Sequence, residues 1–255
     1  MEAGPAPLTA SQESTFEGID PAEAARIAAA RDLVQARIER ACARSGRDGA
    51  GIQLIAVSKT IPAERLRAAH SIGIETFGEN RVQEAVDKVH AVPGASWHLV
   101  GPLQSNKARR AVETFACIQT VDSLGLASRL DRIAGEIRPR TAFPVLLQVN
   151  VDEDPAKAGF EVGAIDAAVA AILDLRNLEV RGLMTVGRLH RDAADARSTF
   201  TRLRRLSEGL RGEHPALGPE LSMGMSDDFE VAVEEGATMV RIGRLLFGAR
   251  SPGAG

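Results

Sequence analysis

Tyrosine is absent from the 255-residue chain, and all aromatic residues together make up 4% of it. Stacking platforms of the kind that hold single-stranded nucleic acid are therefore scarce. Cysteine is almost absent: Cys42 and Cys117 stand far apart, in no metal-ligand spacing. A disulfide framework is not expected, and a reducing cytoplasm fits this usage. No apolar run approaches the roughly 20 residues of a membrane helix. Residues 1–20 lack the basic start and apolar centre of a signal peptide. Neither sign of charge dominates, with a formal net charge of −3; a nucleic-acid or anionic-membrane binder is normally more basic. The five histidines show no H-E-x-x-H spacing, and there is no Walker loop, no G-x-S-x-G elbow and no G-x-G-x-x-G turn. No metal, nucleic acid or membrane is expected as a partner.

What is present is an ordinary globular composition, 44% hydrophobic and 25% charged. Residues 1–20, rich in Pro, Gly, Ser and Thr, are expected to form a disordered tail, and 251–255 a flexible one. From Pro21 the pattern is helical, with Asp20 as N-cap, Gly46 as stop, and Ile27, Leu33, Val34, Ile38 and Cys42 as the apolar stripe. Beyond it, short β-branched runs alternate with helical stretches. The strand candidates are 52–58, 75–78, 96–101, 117–121, 143–151, 178–186, 220–224 and 238–243. Strands and helices alternating at this spacing imply βαβ units and a parallel sheet. Runs such as "LIAV" and "PVLLQV" are apolar on both faces, as a sheet covered by helices requires. Eight units close a barrel, so the expected fold is α/β, a single-domain (β/α)8 TIM-type barrel over residues 21–250 with an additional N-terminal helix.

Barrel chemistry sits at the C-terminal ends of the strands. The first strand ends in "VSKT" with Lys59, the second in "FGEN" with Glu79 and Asn80, and the fifth delivers Asn150 and Asp152. The seventh gives "LSMGMSDD", with Ser222 and Ser226 around Gly224. The eighth gives "RIGR", with Gly243 before a short helix. Barrels often bind phosphate at the loops after strands seven and eight, and glycine lets the backbone come close to it. An amine at one side and a phosphate cradle at the other suit pyridoxal phosphate. Each feature also has a plain reading. Lys59 could be a solvated strand end and Gly243 a simple turn. Asp227 and Asp228 read first as an N-cap with dipole-favoured acids. His98 could line the pocket or be a satisfied core histidine. The loop acids Asp152, Glu153 and Asp154 could shape access to the mouth. The basic groups "NKARR" and "RLRR" read as solvated helix faces.

The stretches "AVSKT", "FGENRVQE", "WHLVGPLQSNK", "GLMTVG", "LSMGMSDDFEVAVEEGATMVRIG" and "LFGAR" closely resemble the YggS/PROSC family of pyridoxal phosphate homeostasis proteins. The resemblance runs over nearly the whole chain from about residue 20. It implies a barrel like the N-terminal domain of alanine racemase, with pyridoxal 5′-phosphate as cofactor. By resemblance Lys59 forms the aldimine, Asn80 lines the pocket, and Ser222 with the amides of Gly243 and Arg244 holds the phosphate. Arg241 would face the pyridine nitrogen. Many relatives carry a small hydroxyl residue where Arg244 stands; here an amide contact remains, and the Arg244 side chain could add positive charge near the phosphate or point to solvent. Racemases of the related fold take a tyrosine base from a second domain or subunit, and this chain has no tyrosine. The expectation is a cytoplasmic monomer that carries the cofactor without efficient catalysis and serves pyridoxal-phosphate-dependent apo-enzymes. The alternatives are an amino-acid racemase or lyase using the same lysine, and a nucleic-acid or protein binding module.

Overall fold

The computed structural model describes residues 19–187 and 193–248. The expected tails lie outside these residues except for Ile19 and Asp20, as does Asp192, the first residue of the helical stretch that the sequence places between the sixth and seventh strands. Helix α1 (Pro21–Ser45) starts and stops where its capping residues dictate. The Asp20 carboxylate accepts from the Ala22 amide at 2.9 Å, Pro21 fills the first turn, and Gly46 leaves the helix at φ 68°. Ile27, Val34, Ile38 and Cys42 face inward as expected, joined by Ala41. Leu33 does not: it is 69% exposed. It lies about 100° around the helix from Val34, outside the buried stripe.

Eight strands follow: β1 (Gln53–Val57), β2 (Thr76–Glu79), β3 (Ser96–Leu99), β4 (Cys117–Val121), β5 (Phe143–Gln148), β6 (Leu178–Met184), β7 (Glu220–Met225) and β8 (Met239–Ile242). They close into one barrel in chain order, every pair parallel, with β8 returning to β1 through Leu54↔Val240 and its neighbours. The connecting helices are α2 (Ala63–Ser71), α3 (Val82–Ala91), α4 (Ala108–Thr114), α5 (Leu124–Ile137), α6 (Ile165–Leu173), α7 (Arg197–Glu213), α8 (Phe229–Glu234) and the short α9 (Arg244–Phe247). Pro62 is the N-cap of α2. Helix α1 packs outside the ring on α8 and α2, where Arg37 pairs with Glu230 and Arg44 with Glu234. No helix of the described residues is long and apolar enough to cross a membrane.

Most of the apolar core lies between strands and helices. Strand side chains alternate sides, and the opposite set fills the barrel. Ile55, Leu146, Met184 and Met239 form an apolar cluster of their own there, beside a set of polar groups described below. The pairing of β5 with β6 shifts between Val145 and Leu146: Val145 faces Val180 but Leu146 faces Gly182. Arg181 is thus an extra residue in β6, a bulge that resets which residues reach the barrel mouth.

Candidate functional site

Lys59 stands two residues past the end of β1, at the C-terminal face of the barrel. It shares a cleft of about 340 Å³ with Val57, Ile61, Gly243, Arg244, Phe247 and Gly248. The two chain segments meet because β1 and β8 are neighbours in the closed sheet. A Cβ at Gly243 would lie 3.2 Å from the Val57 carbonyl oxygen and 3.4 Å from the Val57 side chain. Glycine there lets the start of α9 lie against the end of β1. Arg244 opens α9, and its guanidinium pairs with Asp227 at the exposed rim. Asn80 follows β2 and lines a neighbouring cleft of about 470 Å³ with Arg81, Pro102, Gln104 and Lys107. Its backbone is pressed against Gly101, where an added Cβ would come within 2.4 Å of the Asn80 carbonyl oxygen. That contact accounts for the glycine in "LVGPLQ".

Ser222 and Arg241 lie deeper. Both are buried, and Arg241 Nη1 donates to Ser222 Oγ at 2.8 Å. Ser222 Oγ donates onward to Gln119 Oε1 at 2.7 Å, and Gln119 Nε2 meets His98 Nδ1 at 2.9 Å. Arg241 Nη2 donates to the Thr185 carbonyl at 2.8 Å. The result is a hydrogen-bonded chain across the barrel from β3 to the end of β6. Its directions are mutually consistent when His98 is neutral and accepts at Nδ1. The resemblance gave Ser222 a phosphate role; in the structure it lies inside the barrel. At 0% exposure its hydroxyl is committed to Gln119 and Arg241. Ser226, in the turn that leaves β7, is partly exposed.

Burial brings the Arg241 guanidinium down to about 10, against the pull of Asp228, so it stays charged at neutral pH. Asp228 occupies the N-cap of α8 as expected, but its carboxylate reaches back to accept from the Met225 amide at 2.6 Å and caps no helical N–H. Burial raises its carboxyl, while the Met225 amide and Arg241 lower it. His98 proves to be a core histidine, lowered to about 4 by burial and, secondarily, by Arg181. Unfolded histidine titrates near 6.5, so the unfolded chain binds the extra proton between pH 6.5 and about 4. Stability is therefore complete above pH 6.5 and falls as pH drops to about 4, by about 3 kcal/mol from this residue. Urea unfolding at pH 7 and pH 4.5 should show this loss, and His98→Gln should lessen the difference.

The remaining sequence candidates are accounted for by packing. Asp152 accepts from Thr199 Oγ1 at 2.6 Å, and Asn150 and Asp154 tie the loop after β5 to itself. Arg109 and Arg110 pair with Glu136 and Glu113, and Arg204 with Glu208, on outer helices. Sequence reading did not find Gln119, Thr185 or Lys88. Only Lys88 left a trace, as the lysine four residues after Glu84 on a helix face.

The closed parallel barrel is a fold shared with alanine racemases: the enzyme from Corynebacterium glutamicum superposes with a TM-score of 0.67 at 16% identity, covering 89% of this chain and 62% of that one. The family model described as "Alanine racemase, N-terminal domain" matches residues 21–251. Within that class, the chain belongs to the pyridoxal phosphate homeostasis protein family. The protein of that name from Pseudomonas aeruginosa is 45% identical over 226 residues, covering 87% of this chain and 94% of the relative. The Escherichia coli protein of the same name is 40% identical, covering 87% and 96%. The structure of PipY from Synechococcus elongatus, solved with PLP bound, superposes with a TM-score of 0.73 at 43% identity, covering 83% of this chain and all of PipY.

Proposed function

We propose that this protein binds pyridoxal 5′-phosphate at the barrel mouth and serves its homeostasis, without efficient catalysis. The observation that carries the reading is the meeting of Lys59 with the Gly243–Arg244 helix start in one cleft. The cofactor supplies an aldehyde that condenses reversibly with an amine, and a phosphate that needs close donors. Lys59 is the amine. The amides of Gly243 and Arg244 hold the phosphate, with Ser226 supplying the hydroxyl. Met225 pairs with Arg241, which sets Ser226 beside the residues that follow Arg241. Asn80 flanks the ring, and the charge of Arg244 strengthens the anion site from the rim. PipY, with PLP in its structure, supports the cofactor.

Arg241 faces the ring nitrogen in this reading. Its side chain carries only donors and its charge opposes protonation of that nitrogen, which keeps the ring a weak electron sink. Ser222 serves the site indirectly, by orienting Arg241. The chain has no tyrosine to act as a second proton-transfer group. These features favour holding the cofactor over turning over amino acids. The reading places the protein in the cytoplasm as a monomer, delivering to pyridoxal-phosphate-dependent apo-enzymes.

The purified protein should show a visible absorbance band that borohydride bleaches, leaving the cofactor's mass on Lys59. A colourless protein that gains no band on addition of pyridoxal 5′-phosphate would refute the assignment. The racemase reading, favoured by the matching domain family, is separated by incubating loaded protein with L-amino acids in deuterated water. Turnover with α-proton exchange would replace the carrier reading.

A further inference from the structure

The loop that carries Lys59 is gripped from behind by a buried ionic cluster. Glu79 closes β2 and is fully buried. Its Oε1 accepts from Ser58 Oγ at 2.6 Å and from Lys88 Nζ at 2.7 Å. Lys88, on α3 and 8% exposed, also donates to Glu84 Oε1 and to the Ser58 carbonyl, both at 2.7 Å. An ammonium has three N–H donors, and all three are used. Lys88 is therefore no competitor to Lys59 as a nucleophile. Glu84 Oε1 also accepts the Thr60 amide at 2.6 Å. Ser58 and Thr60 are the residues immediately before and after Lys59, so one connected cluster holds the backbone on both sides of it.

Thr60 has φ 64°, and Glu153 is the only other described non-glycine residue with positive φ. A β-branched residue enters this left-handed region at a cost of about 1–2 kcal/mol. Strain of this kind persists only where surrounding contacts over-determine it, and the Glu84 carboxylate is such a contact. Glu84 and Lys88 have the i,i+4 spacing of an exposed helix pair, which stabilises little. Here they are turned toward the β1 loop instead. Although burial opposes it, hydrogen bonds from Lys88 and the Thr60 amide hold the Glu84 carboxyl below its ordinary range. Burial raises the Glu79 carboxyl, against the pull of Lys88 and Ser58.

We propose that Glu84 and Lys88 are positioning residues for Lys59. Anchored on Glu79, they fix the Ser58–Thr60 backbone with Thr60 in its strained conformation, so that the Lys59 amine is set toward the cleft before any cofactor arrives. The proposal rests on the reading of Lys59 as the cofactor's amine, but its test does not depend on cofactor binding. In cofactor-free protein, trace labelling with acetic anhydride followed by mass spectrometry reports the reactivity of Lys59 relative to surface lysines of the same sample. In parallel, stopped-flow absorbance reports the rate at which added pyridoxal 5′-phosphate links to the protein.

In Glu84→Gln, release of the Thr60 conformation should change relative Lys59 labelling and slow cofactor linkage about tenfold, the equivalent of ~1.4 kcal/mol. Glycine enters the left-handed region without that cost. Thr60→Gly added to Glu84→Gln should therefore restore most of both rates, while Thr60→Gly alone should keep them. The proposal is overturned if Glu84→Gln leaves relative Lys59 labelling unchanged. It is equally overturned if Thr60→Gly fails to restore labelling in a double variant whose melting temperature matches that of Glu84→Gln. Failure of wild-type protein to link pyridoxal 5′-phosphate would remove the cofactor reading alone, and the labelling series would still decide the positioning role.

Discussion

Lys59→Ala removes the visible band and the borohydride-fixed adduct together, and weakens cofactor retention by about 100-fold or more, because a held amine acts at high effective concentration. The fold should be unaffected. Lys59 follows β1 at the barrel mouth and lines a cleft open to solvent, so its truncation leaves no core cavity, and surface changes of this kind alter stability little. Far-UV circular dichroism and the melting temperature of cofactor-free protein check that separation. The proposed phosphate contacts do not involve Lys59, so a weak noncovalent complex should survive in the variant. If Lys59→Ala instead forms an equally reducible link at another lysine, the anchor has been misassigned. Lys88 is the nearest test of that outcome, since its three donors are occupied in the folded protein.

Gly182→Ala should produce the largest loss of stability among single-methyl additions to the barrel. The residue has φ 151° at the bulge in β6, and an added Cβ would lie 2.0 Å from the Glu220 carbonyl oxygen and 2.7 Å from two further backbone atoms of that residue. Neighbouring backbone in a closed sheet has no room to withdraw. Clash and dihedral strain together should cost about 3–5 kcal/mol, lowering the melting temperature by about 10 °C or more. The effect should extend to the site. The bulge sets the register that brings the Thr185 carbonyl to Arg241, and β7, the strand it would push away, carries Ser222. A variant that melts like wild type would show that β6 and β7 separate more easily than their pairing implies.

The barrel was legible in the sequence because a strand covered on both faces reads as an unbroken apolar run. All eight strands were found, and β4 at its observed limits. Ends were less legible. The run at 143–151 stays apolar through Val149 and Val151, but β5 ends at Gln148, and Val149 leaves it to bridge Phe160. Leu33 was misplaced because hydrophobicity alone does not say which side of a helix has a neighbour. Lys59 and Gly243 were legible as candidates because they end strands in a fold whose chemistry lies at strand ends. Ser222 was read as an anion ligand because it is a hydroxyl near a glycine. Its depth in β7, with Gln119 at hydrogen-bond distance from 103 residues away, is a property of the closed sheet. The pair Glu84–Lys88 was hidden for the same reason, since its real partner is the loop after β1.

The two halves of the site stand on separate foundations. The amine rests on β2 and α3 through Glu79, Glu84 and Lys88, and the guanidinium rests on β4, β6 and β7 through Gln119, Thr185 and Ser222. No residue belongs to both sets. Changes to one foundation should therefore combine additively with changes to the other. With Lys59 as the amine and Arg241 at the ring, as proposed, substitutions on the β4–β7 side would retune the electronics of a bound ring without loosening the covalent anchor.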